Sequence, residues 1–416
     1  MKNSRLVLGM LLAVGLNAAA EEAPKPKPAR VVKIAEDVKP ILHQAGYKIY
    51  ARWPIDAKEA QRRQQETARA LGIPVEKTVM LPHETSMKFV LIPAGDFVMG
   101  SPQTELGRRD DEAQHLVRIT TPYYLGKYEF GQQEWVTGRM RDGKFARNRS
   151  YQGDPKRPVE QASWKDAQIT LAYLNKLELG LFTLPTEAEW EFACRAGTNS
   201  PFYFGDTIST DQANYDGNTV YGEGKKGVFR LKTTQRGIFP ANAYGLHDMH
   251  GNVWEWCWDA YDKDAYNRGA QVNPTGPQEG PRHVVRGGAF AIFGVDDVRS
   301  AARRSYLTER RGRCVGFRIA LRTLKPKTAD DGQIGDVGDP KIPPMPGERL
   351  NAIEAGGEDL CLVGSAVAVD IEKNHHGIAG RVRFGIAILR THADEQAAPG
   401  IERHRTGLPH QRLLRE

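Results

Sequence analysis

Cysteine is scarce in this chain. Four occur in 416 residues, Cys194, Cys257, Cys314 and Cys361. None stands at the C-x-x-C spacing that zinc sites and thioredoxin-like sites use. Absent too are a Gly-x-Ser-x-Gly nucleophile elbow, a His-Glu-x-x-His zinc helix and a phosphate-binding loop, which removes three common catalytic classes. A dominant charge sign is also lacking. Lys and Arg number 58 against 51 Asp and Glu, a net charge of +7, and the two signs are interleaved. That pattern does not predict a nucleic-acid partner, but it leaves room for an acidic ligand.

Long hydrophobic runs are missing as well. Leu6 to Leu16 is apolar but too short to span a bilayer comfortably. Lys2 and Arg5 precede it, and Ala18 to Ala20 follow with a small-x-small pattern. This predicts a signal peptide over 1–20, no membrane span once it is removed, and a periplasmic or secreted mature chain starting near Glu21. Export would allow disulfides.

The remaining composition, 40% hydrophobic and 26% charged, is that of a globular protein. Residues 21–30, rich in Pro and Lys, read as an extended linker. Residues 31–86 form an N-terminal extension, with a strand and short helix over Val31 to Ile41. A surface helix is predicted over Asp56 to Leu71, capped by Asp56 and stopped by Gly72 and Pro74. The main domain is predicted over 87–323. It opens with two strands in MKFVLIPAGDFVMGS and continues with strands in HLVRITTPYYLGKYEF. A helix carrying Trp135 follows Glu129. Another runs from Ser163 to Leu177 with Trp164, Ile169, Leu171 and Leu174 on or near one face. Thr186 and Glu189 form a capping box for a third helix, ended by Gly197. Residues 198–245 are rich in Gly, Asn, Asp and Tyr, and a loop of that length needs pinning. GNVWEWCWDAY, VVRGGAF and a final strand, VGFRIALR, complete the domain. Residues 324–416 read as a mostly irregular appendix, with strand candidates at Val363 to Ile371 and Val382 to Leu389.

Six segments occur in order: FVLIPAGDFVMGS (89–101), RPVEQASWKDA (157–167), LPTEAEWEFACRAGT (184–198), ANAYGLHDMHGNVWEW (241–256), VVRGGAF (284–290) and VGFRIAL (315–321). On these, the chain resembles the formylglycine-generating-enzyme, or sulfatase-modifying-factor, family. The resemblance implies an α+β, irregular C-type-lectin-like fold with little regular secondary structure. It also implies structural calcium. The matching positions are the side chains of Asp248 and Glu255 with the carbonyls of Gly251 and Val253. A second site matches Asn214 by side chain and Tyr215 by carbonyl, with Glu223 loosely in place of a missing acid. Hard carboxylates and carbonyls on a glycine-containing turn suit calcium. His247 and His250, although spaced HxxH, lack a third ligand and are read as hydrogen-bonding residues.

The family's copper chemistry is where the resemblance fails. Copper is held there by two cysteine thiolates that follow an Arg-Gly-Gly-Ser segment, and soft thiolates are what Cu(I) selects. Here Ala289 replaces the serine. The two cysteine positions fall at or next to Ile292 and near Asp296 or Asp297. Copper is therefore not expected. Cys194 matches a family cysteine whose partner position is Ile319 here, which leaves Cys314 as the substitute. Arg286, Arg299, Arg303 and Arg304, with Trp254 nearby, allow two readings: a basic groove for an acidic peptide or glycan, or ion pairs with Asp296, Asp297 and Glu309. The leading expectation is an exported, calcium-stabilised binding or accessory module that does not make formylglycine. One alternative is a divergent periplasmic oxidoreductase resembling pyoverdine-maturation members. Another is a sulfatase-modifying oxidase with relocated cysteines, Cys257 and Cys314.

Overall fold

The computed structural model describes residues 41–323, apart from 44–45, 139, 142–143, 146–153 and 292–293. The expected signal peptide and linker, the elements expected at 31–40, Ile292, Cys361 and the appendix expected beyond 323 lie outside the described residues. Two short strands, β1 (Ile41–Leu42) and β2 (Lys48–Ile49), precede helix α1 (Ala57–Leu71). Five strands follow: β3 (Glu76–Met80), β4 (Ser86–Ile92), β5 (Gly95–Met99), β6 (His115–Ile119) and β7 (Tyr123–Gly126). Next come α2 (Gln132–Gly138), the pair β8 (Met140–Arg141) and β9 (Lys144–Phe145), α3 (Trp164–Lys176), β10 (Phe182–Thr183) and α4 (Glu187–Arg195). The chain then runs without helix or strand to β11 (Trp254–Ala260). It closes with β12 (Gln271–Val272), β13 (Arg282–Arg286), β14 (Arg303–Leu307), β15 (Val315–Phe317) and β16 (Ala320–Arg322).

Besides the two-stranded pairs β1-β2 and β8-β9, the described strands form three larger sheets, in the orders β10-β16-β7-β4-β3, β14-β13-β11-β15 and β12-β6-β5. β3 pairs with β4 from Glu76↔Val90 to Met80↔Ser86, so the main sheet takes in residues before Met87. The apolar run FVLI of β4 is continuous because both its faces are covered. Phe89 and Leu91 enter one core cluster, Val90 and Ile92 another. The same division puts Trp254 and Trp256 of β11 in the first cluster and Cys257 in the second.

Local signals set the helix ends. Asp56 accepts from the Glu59 N–H at 2.7 Å, and Gly72 closes α1 at φ 64°. This helix does lie at the surface, but it docks through a polar residue as well as through Ala60 and Ala68. The Gln64 amide is buried and donates to the carbonyls of Leu91 (2.8 Å) and Tyr244 (3.0 Å). Capping boxes start α3 (Ser163 with Asp166) and α4 (Thr186 with Glu189). On α3, Leu171 and Leu174 are buried while Ile169 is exposed, so Ile169 does not share their face. The stretch VGFRIALR is two strands rather than one. β15 belongs to the four-stranded sheet and β16 to the five-stranded sheet. The break falls at Arg318, whose buried guanidinium turns inward to Glu255 and the carbonyls of Gly126 and His247, each at 2.8 Å.

Candidate functional site

The turn before β11 is built from unusual backbone. Asp248 stands at φ 57° and Asn252 at φ 62°, left-handed positions suited to short polar side chains. Gly251, at φ 82°, faces Asn214: a Cβ there would lie 2.3 Å from the Asn214 carbonyl oxygen. Asn214 pairs with Gly251, and its carbonyl accepts from the Asn252 N–H at 2.8 Å. The two segments matched to separate calcium sites therefore adjoin. The Asn252 side chain ties them together, donating to Glu129 (2.7 Å) and accepting from Asn214 Nδ2 (3.0 Å) and the Thr234 N–H (2.9 Å).

The ligand set implied by resemblance divides. Asp248 is buried; its Oδ2 accepts from the Gly237 N–H at 2.6 Å, while its Oδ1 accepts nothing. Asn214 Oδ1 is likewise buried without a donor. Two orphaned oxygens fit a hard cation. Glu255 does not fit. Its carboxylate is taken by Arg318 (2.8 Å) and by the Trp190 indole N–H (2.6 Å), so its charge is already compensated. The Val253 N–H donates to Glu129 (3.1 Å), the Tyr215 hydroxyl donates to Ile208 O (3.1 Å), and Glu223 is exposed. Burial, then the charges of Asp248 and Glu255, push Glu129 well above the carboxylate range. Among the described residues, no three His, Cys, Asp or Glu side chains gather to hold a metal ion.

The histidines are hydrogen-bonded and do not converge on one centre. His247 Nδ1 pairs with the Phe239 carbonyl at 2.8 Å. His250 Nδ1 pairs with Val298 O, and its Nε2 accepts from the Tyr203 N–H at 3.2 Å. Burial pushes His250 down to about 3, so it is neutral.

The arginine groove is overturned at its centre. Arg286, Arg299 and Arg303 are buried, as is Trp254. The guanidinium of Arg303 is gripped at both ends by Glu187 (2.7 and 2.6 Å), and Arg286 reaches Glu187 (3.3 Å) and Glu191. Arg299 meets Glu105 at 2.6 Å and Glu112 at 2.9 Å. Ion pairing is the correct alternative for these three, but with acids from α4 and the 105–112 loop. Asp297 instead holds Arg109 and Arg304, and Glu309 holds Lys165. Burial alone would raise Glu191; the guanidinium groups of Arg195 and Arg286 outweigh it and hold Glu191 below its ordinary range. Glu187, Glu191 and Arg195, spaced four apart, share one face of α4. That spacing was the sequence signal for the network.

No disulfide joins the buried cysteines Cys194, Cys257 and Cys314 to one another. Cys194 lies 3.8 Å from Ser300 Oγ, and the Cys314 thiol lies 3.7 Å from the Ala291 carbonyl. Cys257 and Cys314 sit in different core clusters, so they form no displaced pair. Burial pushes the Cys194 thiol up to about 12, far from thiolate character. Ala289, at the position of the family's serine, is wholly buried. Gly288 supports the tight packing there: a Cβ would lie 2.4 Å from Val298 Cγ1. Among the described residues no helix is long and apolar enough to cross a membrane.

Small sheets, long pinned loops and few helices define an α+β protein of C-type-lectin-like type. The chain belongs to the sulfatase-modifying-factor family: residues 76–323 match the sulfatase-modifying factor enzyme 1-like domain. Serine/threonine-protein kinase pkn1 of Chlamydia caviae is 31% identical over 268 residues, covering 59% of this chain and 40% of the kinase. The formylglycine-generating enzyme of Thermomonospora curvata is 32% identical over 181 residues, covering 41% of this chain and 57% of that enzyme. The structure of PvdO from Pseudomonas aeruginosa is similar with a TM-score of 0.50 and 28% identity, over 59% of this chain and 98% of PvdO. The chain spans about two fifths of the length of the kinases it matches.

Proposed function

We propose that this is an exported, calcium-stabilised member of the family that binds a ligand or assists a partner and does not generate formylglycine. The observation that carries this reading is the chemistry at the position near which the resembled enzymes place their second thiolate. Asp296 and Asp297 stand there, and the Asp297 carboxylate is held by Arg109 and by Arg304 (3.1 Å). A hard, ion-paired carboxylate does not replace a soft thiolate toward Cu(I). Ala289, in place of the serine, removes a further polar group. The signal-peptide pattern supports a periplasmic or secreted location.

Calcium is supported by the two orphaned oxygens, Asp248 Oδ1 and Asn214 Oδ1. Each residue would hold an ion at its own site, together with main-chain carbonyls. Those ions would fasten the long loop and the turn before β11. The test of function is direct. Purified chain is incubated with copper, oxygen and a cysteine-containing sulfatase peptide. The peptide returns unchanged by mass spectrometry; conversion to the aldehyde refutes the proposal.

The likeness to PvdO favours a second reading, a divergent oxidoreductase. A redox metal or organic cofactor retained through purification would support it. Protein that retains neither counts against it.

A further inference from the structure

A cleft of about 370 Å³ opens beside β14. Arg109, Arg282, Arg303 and Arg304 line it with Tyr261 and Ser305. Arg303 is neutralised from behind by Glu187. The other three reach the opening: Arg282 is exposed, and the side chains of Arg304 and Arg109 are 45% and 26% exposed. Arg304 spends Nε and Nη2 on Asp297, and Arg282 spends the same pair of nitrogens on Ser305. The Nη1 group of each makes no hydrogen bond among the described residues. Two aspartates also line the cleft, and one of them is engaged. Asp111 accepts from the Tyr261 hydroxyl at 2.8 Å, and Asp110 points to solvent 4.0 Å from Arg108.

β14 is the edge strand of its sheet, where an extended peptide would ordinarily add. Here the edge is capped. The Arg303 carbonyl accepts from Arg109 (3.3 Å), and the Ser305 carbonyl accepts from Arg282. What remains is space for a compact ligand, walled by an aromatic ring and guanidinium groups. The Tyr261 ring is held in place by Arg303, 5.0 Å from its centroid.

We propose that this cleft binds an acidic saccharide unit through its carboxylate or sulfate group. The unspent N–H groups of Arg282 and Arg304 grip the oxyanion, and the Tyr261 ring lies against the sugar. Guanidinium forks match such oxyanions in shape and charge. The inference rests on the binding-module reading above and names its ligand class.

Titration calorimetry on the full chain tests it with galacturonic acid, galactose 6-sulfate and galactose. The acidic sugars bind and the neutral one does not; the tighter of the two acids tells carboxylate from sulfate. Arg282→Gln and Arg304→Gln each weaken binding about tenfold. Added salt weakens it further. Both positions are exposed, so the variants keep the wild-type circular dichroism. Equal binding of galactose, no binding of either acid, or unchanged affinity in both variants overturns the proposal. Preference for an oligoglutamate peptide over both acidic sugars does so too. The peptide-conversion assay reads the binding-module proposal separately: conversion there sinks that reading, whereas failed sugar binding without conversion sinks only the cleft.

Discussion

At the scale of single residues, the interior is held by arginines that have carboxylate partners and no access to water. Arg299 is the simplest case, with Glu105 and Glu112 on its guanidinium. Desolvating these ions costs several kcal/mol, which the pairing returns only while it is intact. Arg299→Met leaves two buried acids without their cation and should cost about 3–5 kcal/mol in urea unfolding. Asp259 behaves in the opposite sense. Burial, then the Glu187 charge, push it up to about 8 from an ordinary 3.8. The folded state therefore holds a proton that the unfolded chain releases near its ordinary value. The stability this group contributes is complete at acid pH and is lost as pH rises toward 8. Asp259→Asn should gain stability relative to wild type between pH 5 and pH 8.5. An equal difference at both pH values would contradict the assignment.

At the scale of elements, the caps carry much of the local specification. Thr186 begins the helix that supplies Glu187 and Glu191, so its hydroxyl indirectly sets the arginine network. Thr186→Ala removes the bond to the Glu189 N–H, and the expected loss is about 1 kcal/mol in thermal or urea unfolding. Signals of this kind are short-range and legible: Asp56, Ser163 and Thr186 all start their helices where the sequence places them. Long-range pairing was not readable. VGFRIALR has the apolar content of one strand. It breaks at Arg318 because Glu255, 63 residues away, offers a buried carboxylate there. Helical spacing puts Ile169 on or near the face of Leu171 and Leu174, yet the core contacts of α3 run along those two leucines and leave Ile169 exposed. The pairing of Arg304 with Asp297 is legible in the sequence, but a sequence does not reveal that the acids on Arg286, Arg299 and Arg303 come from α4 and the 105–112 loop.

At the scale of the whole molecule, a long irregular stretch is fastened to the core by a few polar residues. Asn214, Asn252 and Glu129 join the long loop, the turn before β11 and the segment between β7 and α2, and cations at Asp248 and at Asn214 would complete the tie. Chelation with EGTA is expected to lower the thermal midpoint and to speed tryptic cleavage within 198–253, both reversed by calcium. An unchanged midpoint would remove the calcium proposal. The family scaffold was visible from six ordered segments because they specify turns, caps and tryptophan packing. The open cleft was not, because Arg109, Arg282 and Tyr261 are brought together only by folding.

Weak binding of copper is the property that would set this chain apart from the formylglycine-generating enzymes it resembles. Titration of the reduced, full-length chain with Cu(I) against a chromophoric chelator measures the claim directly. The expected result is that the chelator keeps the metal, since no pair of thiolates is assembled among the described residues to take it. Retention of one Cu(I) per chain, lost on substitution of Cys257 or Cys314, would contradict it.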